Sequence, residues 1–380
     1  MASAHFVFRS RAAGFSPRGL TAALAARPAV APFASLCCTG HRLPLAAVSL
    51  LLCAALGCAT PQGVLFAPVD TPRVWPAPPD LPRIKYVGEM ASSSDLHAGR
   101  TAKEGFLAAM RGPRPPIKFS SPQALAVDHG TLLAVADAAG GAVHLVDLKN
   151  RTYVVSLGSA SHRLGTPSGV AWAGGTLFVT DAQRGEVAVF NTTGRLLRTF
   201  GQDDLERPVG IAYLPDRKEL VVVDGGHHRL VVFGLDGGRV RRIGQRGSEP
   251  GSFNFPTHIC QGRGMLVVAD SGNFRVQILD EEGRWIRTIG QKGDGAGDFA
   301  LPKGVAFDSE AHIYVVDAQF ENVQVFDMQG RLLMAFGEEG RGIGQFWLPA
   351  GLAIDAEDRI WVADSGNHRV AVLQYLGSSS

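Results

Sequence analysis

The chain has 380 residues, of which 46% are hydrophobic and 46 are glycine, and its formal charge is +2. So small a charge excludes a strongly basic field of the kind that holds nucleic acid. Of five cysteines only Cys260 lies beyond residue 58, which excludes a disulfide framework or a cysteine-built zinc site in the body of the chain.

From the N-terminus, no Asp or Glu precedes Asp70, and Arg9, Arg11, Arg18, Arg27 and Arg42 are the only Arg or Lys before it. Leu43 to Gly57 is a 15-residue apolar run. That suits a secretory h-region better than a membrane span of about 20 residues. The run ends in Ala55-Leu56-Gly57-Cys58, which resembles a bacterial lipobox with Ala55 in the place of the usual leucine. The resemblance implies a lipidated Cys58 and a leader at residues 1–57; a cleaved soluble form and a retained anchor are the alternatives. Ala59 rather than Asp follows the cysteine, which among such lipoproteins implies the outer membrane of a bacterial cell envelope. The Arg-rich stretch ahead of His41 reads as an overextended start or as an organellar transit sequence. Without residues 1–57 the acids stay at 35 and the bases fall from 37 to 32, a net charge of about −3.

Residues 58–80 carry Pro61, Pro68, Pro72, Pro76, Pro78 and Pro79 and read as an extended tether. A lone strand follows, Arg83 to Gly88. Residues 89–118 form a long insertion. Within it Thr101 and Glu104 make a capping box, and Phe106, Leu107 and Met110 fall at helical spacing. A short amphipathic helix is expected there, lying near the channel mouth of the ring described next, as a lid or as a partner surface.

From Pro122 onward one unit repeats. Pro122, Pro167, Pro208, Pro256, Pro302 and Pro349 each precede a short apolar run, and Asp137, Asp181, Asp224, Asp270, Asp317 and Asp364 each close a second one. Successive aspartates are 44, 43, 46, 47 and 47 residues apart. Six such units of β-branched runs separated by turn residues predict an all-β, six-bladed propeller spanning residues 81–376, with a tail at 377–380. Phe119, Phe253, Phe299 and Phe346 stand three places before a blade proline, with Leu164 and Leu205 in the other two blades. They should wedge between neighbours. The outer hairpins carry Gly194, Gly283 and Gly330 where a positive φ is required, and Asn150 takes that place in blade one. The last repeat lacks a fourth strand, so the N-terminal strand should supply it, with Tyr86 and Val87 opposite Val370 to Leu373.

The pattern F-x-x-P-x-G-V-A … I-Y-V-A-D-S-x-N-x-R-V resembles the NHL repeat over about residues 81–376. The resemblance implies a six-bladed propeller and leaves activity open, because its members include RNA binders, protein binders, sensor domains and a peptide-amidating lyase. That lyase takes zinc through histidines directly after the blade proline. Here those places hold Gln123, Ser168, Val209, Thr257, Lys303 and Ala350, so no metal and no cofactor is expected. His258 stands one place further on, where strand alternation points it to the opposite face. His227, His228 and His368 read as solvated hairpin residues. Cys260 reads as a small buried hydrophobe.

An acid recurs with Arg five residues on: Asp224 with Arg229, Asp270 with Arg275, Asp364 with Arg369. Recurrence points to structural ion pairs; Ala142, Glu186 and Asn322 break the series and leave an asymmetric face open for binding. The expectation is a monomeric, envelope-anchored, non-catalytic scaffold for a protein or peptide partner, held to the membrane by lipid and binding no nucleic acid. The alternative is a propeller-type hydrolase or lyase working at the channel mouth.

Overall fold

The computed structural model describes residues 60–66, 73–99, 101–112, 115–128 and 130–377, with only the backbone of Phe106. The leader and Cys58 lie outside the described residues. Six antiparallel sheets form, five of four strands and one of five. The first five are meanders running outward from a strand that begins at or just after the blade proline, as in Pro302–Phe307, Ile313–Asp317, Asn322–Phe326 and Leu332–Phe336 of blade five. Within a blade, proline sits opposite aspartate, as Pro208 opposite Asp224 and Pro349 opposite Asp364. All six Pro-Asp ends therefore open on one face of the ring.

No blade has a core of its own. Buried side chains gather in six clusters, each shared by two neighbouring blades. Phe253, Phe299 and Phe346 are fully buried and Phe119, Leu164 and Leu205 nearly so. Phe299, for example, joins Val267 and Ile278 of blade four to Val315 and Phe326 of blade five. Each wedge stabilises its interface by roughly 2 kcal/mol. Near the axis the inner strands come so close that only glycine fits in most blades. A Cβ on Gly169 would lie 2.3 Å from the Val209 carbonyl oxygen, and one on Gly351 would lie 2.5 Å from that of Gln123.

In blade six the strand Ile84–Met90 pairs with Arg369–Tyr375, placing Tyr86 opposite Leu373 and Gly88 opposite Val372. Val87 falls in a bulge between those pairs. A fifth strand, Val74–Trp75, adds outside it. The stretch read as a tether is thus partly bound to the ring. Trp75 stacks on Phe336 of blade five at 5.8 Å, Arg73 pairs with Glu338 at 2.8 Å, and Phe66 meets Trp361 edge-on. Proline holds such a segment extended, and the apolar residues set between the prolines give it something to bury.

One local expectation changes. In the outer hairpin of blade one the positive φ falls on Arg151, at 58°, and not on Asn150. The Asn150 amide instead donates to Asp147 at 2.7 Å, and Asp147 also accepts the Lys149 and Asn150 N–H groups. Blade one therefore pairs Asp147 with Thr152 without the bulge that the other hairpins take. The insertion carries the helix Ala102–Arg111, with the Thr101 hydroxyl accepting the Glu104 N–H and Glu104 accepting the Thr101 N–H. Its ends are stitched together by the Ser93 N–H to Ile117 carbonyl bond, and Leu96 is buried against blade one.

Candidate functional site

The face on which the blades begin is built by one repeated device. Each repeated aspartate is fully buried and accepts backbone N–H groups from the loop ahead of its own blade. Asp137 takes Ser120 and Ser121, Asp181 takes Thr166 at 2.9 Å, and Asp317 takes Ala300 and Leu301. A carboxylate answering backbone donors fixes the loop where the chain enters the channel wall.

The paired arginines finish the clamp unequally. Arg369 is buried, and its Nε meets Asp364 at 2.8 Å. Its remaining nitrogens reach Glu89 at 2.6 Å and the carbonyls of Arg341, Gly342 and Gln345. Arg275 does the same with Asp270 at 2.8 Å and the carbonyls of Glu249 and Ser252. Arg229 stands 3.6 Å from Asp224, because His227 Nδ1 takes that carboxylate at 2.6 Å. The Arg229 Nε is buried with no hydrogen-bond partner among the described residues.

Blades without the arginine use other groups. His144, on blade one, meets Asp137 at 3.2 Å and is backed by the Tyr153 hydroxyl at 2.9 Å. In blade two Glu186 is buried and bonds both His162 and Gln202. In blade five the Asn322 Oδ1 and the Glu321 Oε2 are buried without a donor among the described residues. Burial pushes the Glu321 carboxyl up, against the Leu348 N–H that it accepts.

The hairpin histidines are not simply solvated. His228 is buried, and its Nδ1 accepts the Phe255 N–H at 2.9 Å while its ring lies 4.3 Å from the Phe255 ring. Burial, helped by Arg246, holds its pKa below the usual value and keeps Nδ1 free to accept. His368 bonds the Ser120 carbonyl of blade one at 2.5 Å. These imidazoles fasten one blade's hairpin to the next blade's entry loop. Nothing in the sequence marks them, because the bonds are made to backbone 27 residues away for His228 and 248 away for His368, which leaves no side-chain pattern.

Phe255 and Leu348, whose N–H groups face His228 and Glu321, share an unusual backbone. Both residues take a left-handed conformation, with φ of 45° and 48°. Both precede a blade proline and are half exposed. Large side chains rarely adopt that conformation, and strained backbone of this kind concentrates at functional sites. Trp347, next to Leu348, is also partly exposed and carries the Arg341 guanidinium 4.4 Å from its ring centre.

On the axis a cavity of about 470 Å³ opens on this same face. Gln123, Ser168, Val209, Thr257, Lys303 and Ala350, one from each blade, line it, and Arg207 joins them. His258 lines it too, although alternation pointed it away. It fills the place that glycine holds in four other blades, and its Nδ1 faces the Val305 N–H at 3.4 Å. Burial lowers its pKa to about 4, so it is neutral. Neither Leu107 nor Met110 lines the cavity; both are exposed on the insertion helix. Cys260 is partly buried, and burial pushes its thiol up. Among the described residues no group of three or more His, Cys, Asp or Glu is placed to hold a metal ion.

Residues 205–233 and 346–373 match the family model of the NHL repeat, and residues 256–320 match the model described as a 6-bladed beta-propeller. No curated protein matches the sequence. Among solved structures, an auxiliary nutrient binding protein from Bacteroides thetaiotaomicron is similar over 68% of this chain and 70% of its own, at 16% identity and a TM-score of 0.55. The hydrazine synthase of Kuenenia stuttgartiensis is similar over 70% of this chain and 99% of its own, at 14% identity and a TM-score of 0.52. Virginiamycin B lyase from Staphylococcus aureus is similar over 68% and 82%, at 13% identity and a TM-score of 0.51. At such identities the likeness is one of fold. The chain is a six-bladed β-propeller, and two of its blades match the NHL repeat.

Proposed function

We propose that this propeller is a non-catalytic binding scaffold that takes a protein or peptide partner on the face where its blades begin. One observation carries the reading: Phe255, Trp347 and Leu348 stand exposed on the entry loops, two of them in strained backbone. Exposed aromatic and aliphatic side chains on rigidly clamped loops are the usual anchors of a partner surface. The nutrient-binding neighbour agrees with a binding role at the level of fold. The rival reading, a hydrolase or lyase, asks for three or more His, Asp or Glu converging on the channel. Of those types, only the neutral His258 lines the cavity among the described residues.

We place the scaffold in a bacterial envelope, anchored through Cys58, on the lipobox-like run that ends the leader. No helix among the described residues is long and apolar enough to cross a membrane.

Two variants test the face and the anchor separately. Phe255→Asn with Leu348→Asn puts at both positions a residue that tolerates a positive φ. Stability should stay level or rise by about 1 kcal/mol. Used as bait in detergent-solubilised membranes, the wild type should capture partners that the double variant does not. Capture of the same set by both would refute the proposed face. Cys58→Ala should lose metabolic labelling by a fatty acid, and equal labelling of both proteins would refute the anchor.

A further inference from the structure

We propose that the cavity on the propeller axis binds a small organic acid through its carboxylates, with Lys303 and Arg207 as the two cationic partners. The proposal goes beyond the partner surface and does not need it, since a free acid would enter an uncovered ring.

The charge in the cavity is one-sided. Its lining holds two cations and no carboxylate. Lys303 follows Pro302 and sits in the wall of blade five; Arg207 precedes Pro208 and stands exposed at the rim of blade three. They flank blade four, whose Thr257 lies between them in the ring order. Neither side chain has a hydrogen-bond or ion-pair partner among the described residues, whereas Arg275 and Arg369 are fully engaged. Lys303 is half-buried, and burial alone lowers its pKa from the usual value. A desolvated ammonium with no counter-charge costs stability, and an entering anion removes that cost.

The rest of the wall selects the kind of anion. Val209, Ala138, Ala182 and Ala350 make much of the lining apolar. That suits an acid with a carbon skeleton better than a heavily hydrated phosphate. The volume of about 470 Å³ admits a small dicarboxylate, with Lys303 taking one end and Arg207 the other. The same carboxylate chemistry could come from a free acid or from the acidic end of a bound peptide.

Calorimetric titration of the full chain tests this with succinate, inorganic phosphate and a short peptide ending in two glutamates. Succinate or the peptide should bind, and Lys303→Met should weaken that binding by roughly tenfold or more. Lys303→Arg should keep part of it. The Lys303→Met protein should melt at the same temperature or higher, which separates a lost ligand contact from a lost fold. Binding of succinate identifies a free acid. Binding of the peptide without succinate, and loss on changing its glutamates to glutamine, identifies a partner's acidic end. The proposal is overturned if neither binds, if Lys303→Met binds as the wild type does, or if phosphate binds as tightly as the carboxylates. The Phe255→Asn, Leu348→Asn variant should still bind succinate, so failure of the partner surface leaves this site standing.

Discussion

Deletion of residues 82–88 is expected to abolish cooperative folding. The segment supplies Ile84 and Tyr86, both buried against Leu373, Tyr375 and the Tyr314 and Phe336 side of blade five. Burying two such side chains contributes roughly 3–6 kcal/mol, against a typical domain stability of about 5–15 kcal/mol. The loss does not stop there. The outer strand Val74–Trp75 pairs only with this segment in the sheet, and Arg369–Tyr375 would become a bare edge. An open edge of that kind is a template for aggregation. Chemical denaturation followed by circular dichroism should show a broad or absent transition. A truncated chain that melts like the full one would refute ring closure by this strand. Tyr86→Ala, which leaves the backbone ladder intact, should cost about 3–5 kcal/mol and separates side-chain burial from edge pairing.

Arg369→Ala should be the most damaging single substitution among the Asp-Arg pairs, at about 3–5 kcal/mol. Its guanidinium answers Asp364, Glu89 and three carbonyls. Removing it leaves the Asp364 carboxyl, which burial already pushes up, with Trp347 and Asn367 as its remaining donors. It also cuts the link to Glu89, which lies on the closing strand and accepts the Tyr86 hydroxyl through the same oxygen. Arg229→Ala should cost about 1 kcal/mol or less. That guanidinium stands off its aspartate, and His227 has taken the oxygen. The two variants carry the same sequence motif, so a difference in denaturation midpoint measures what the surroundings add. Equal losses would show that the pairs act alike in spite of their geometry.

The repeat was legible in the amino-acid sequence because it follows local physics. β-branched runs of strand length, turn residues at fixed offsets, and a proline that cannot donate to a ladder mark the same places six times over. From these came the six blades, the wedge residues Phe119, Phe253, Phe299 and Phe346, and the structural aspartates. Where one local rule had two solutions, the sequence left the choice open. Asn150 suited a positive φ by type, yet its amide found Asp147 and the strain moved to Arg151. The left-handed Phe255 and Leu348 face His228 and Glu321, each from the preceding blade, and that pairing is set by the ring and not by local sequence. The cavity is the extreme case. Lys303 and Arg207 lie 96 residues apart in the chain, and nothing local to either announces a shared site. Only closing the ring brings one residue from each blade to the axis. A long-range arrangement of unlike residues at equivalent repeat positions has no periodic signal, so tertiary structure alone decided it.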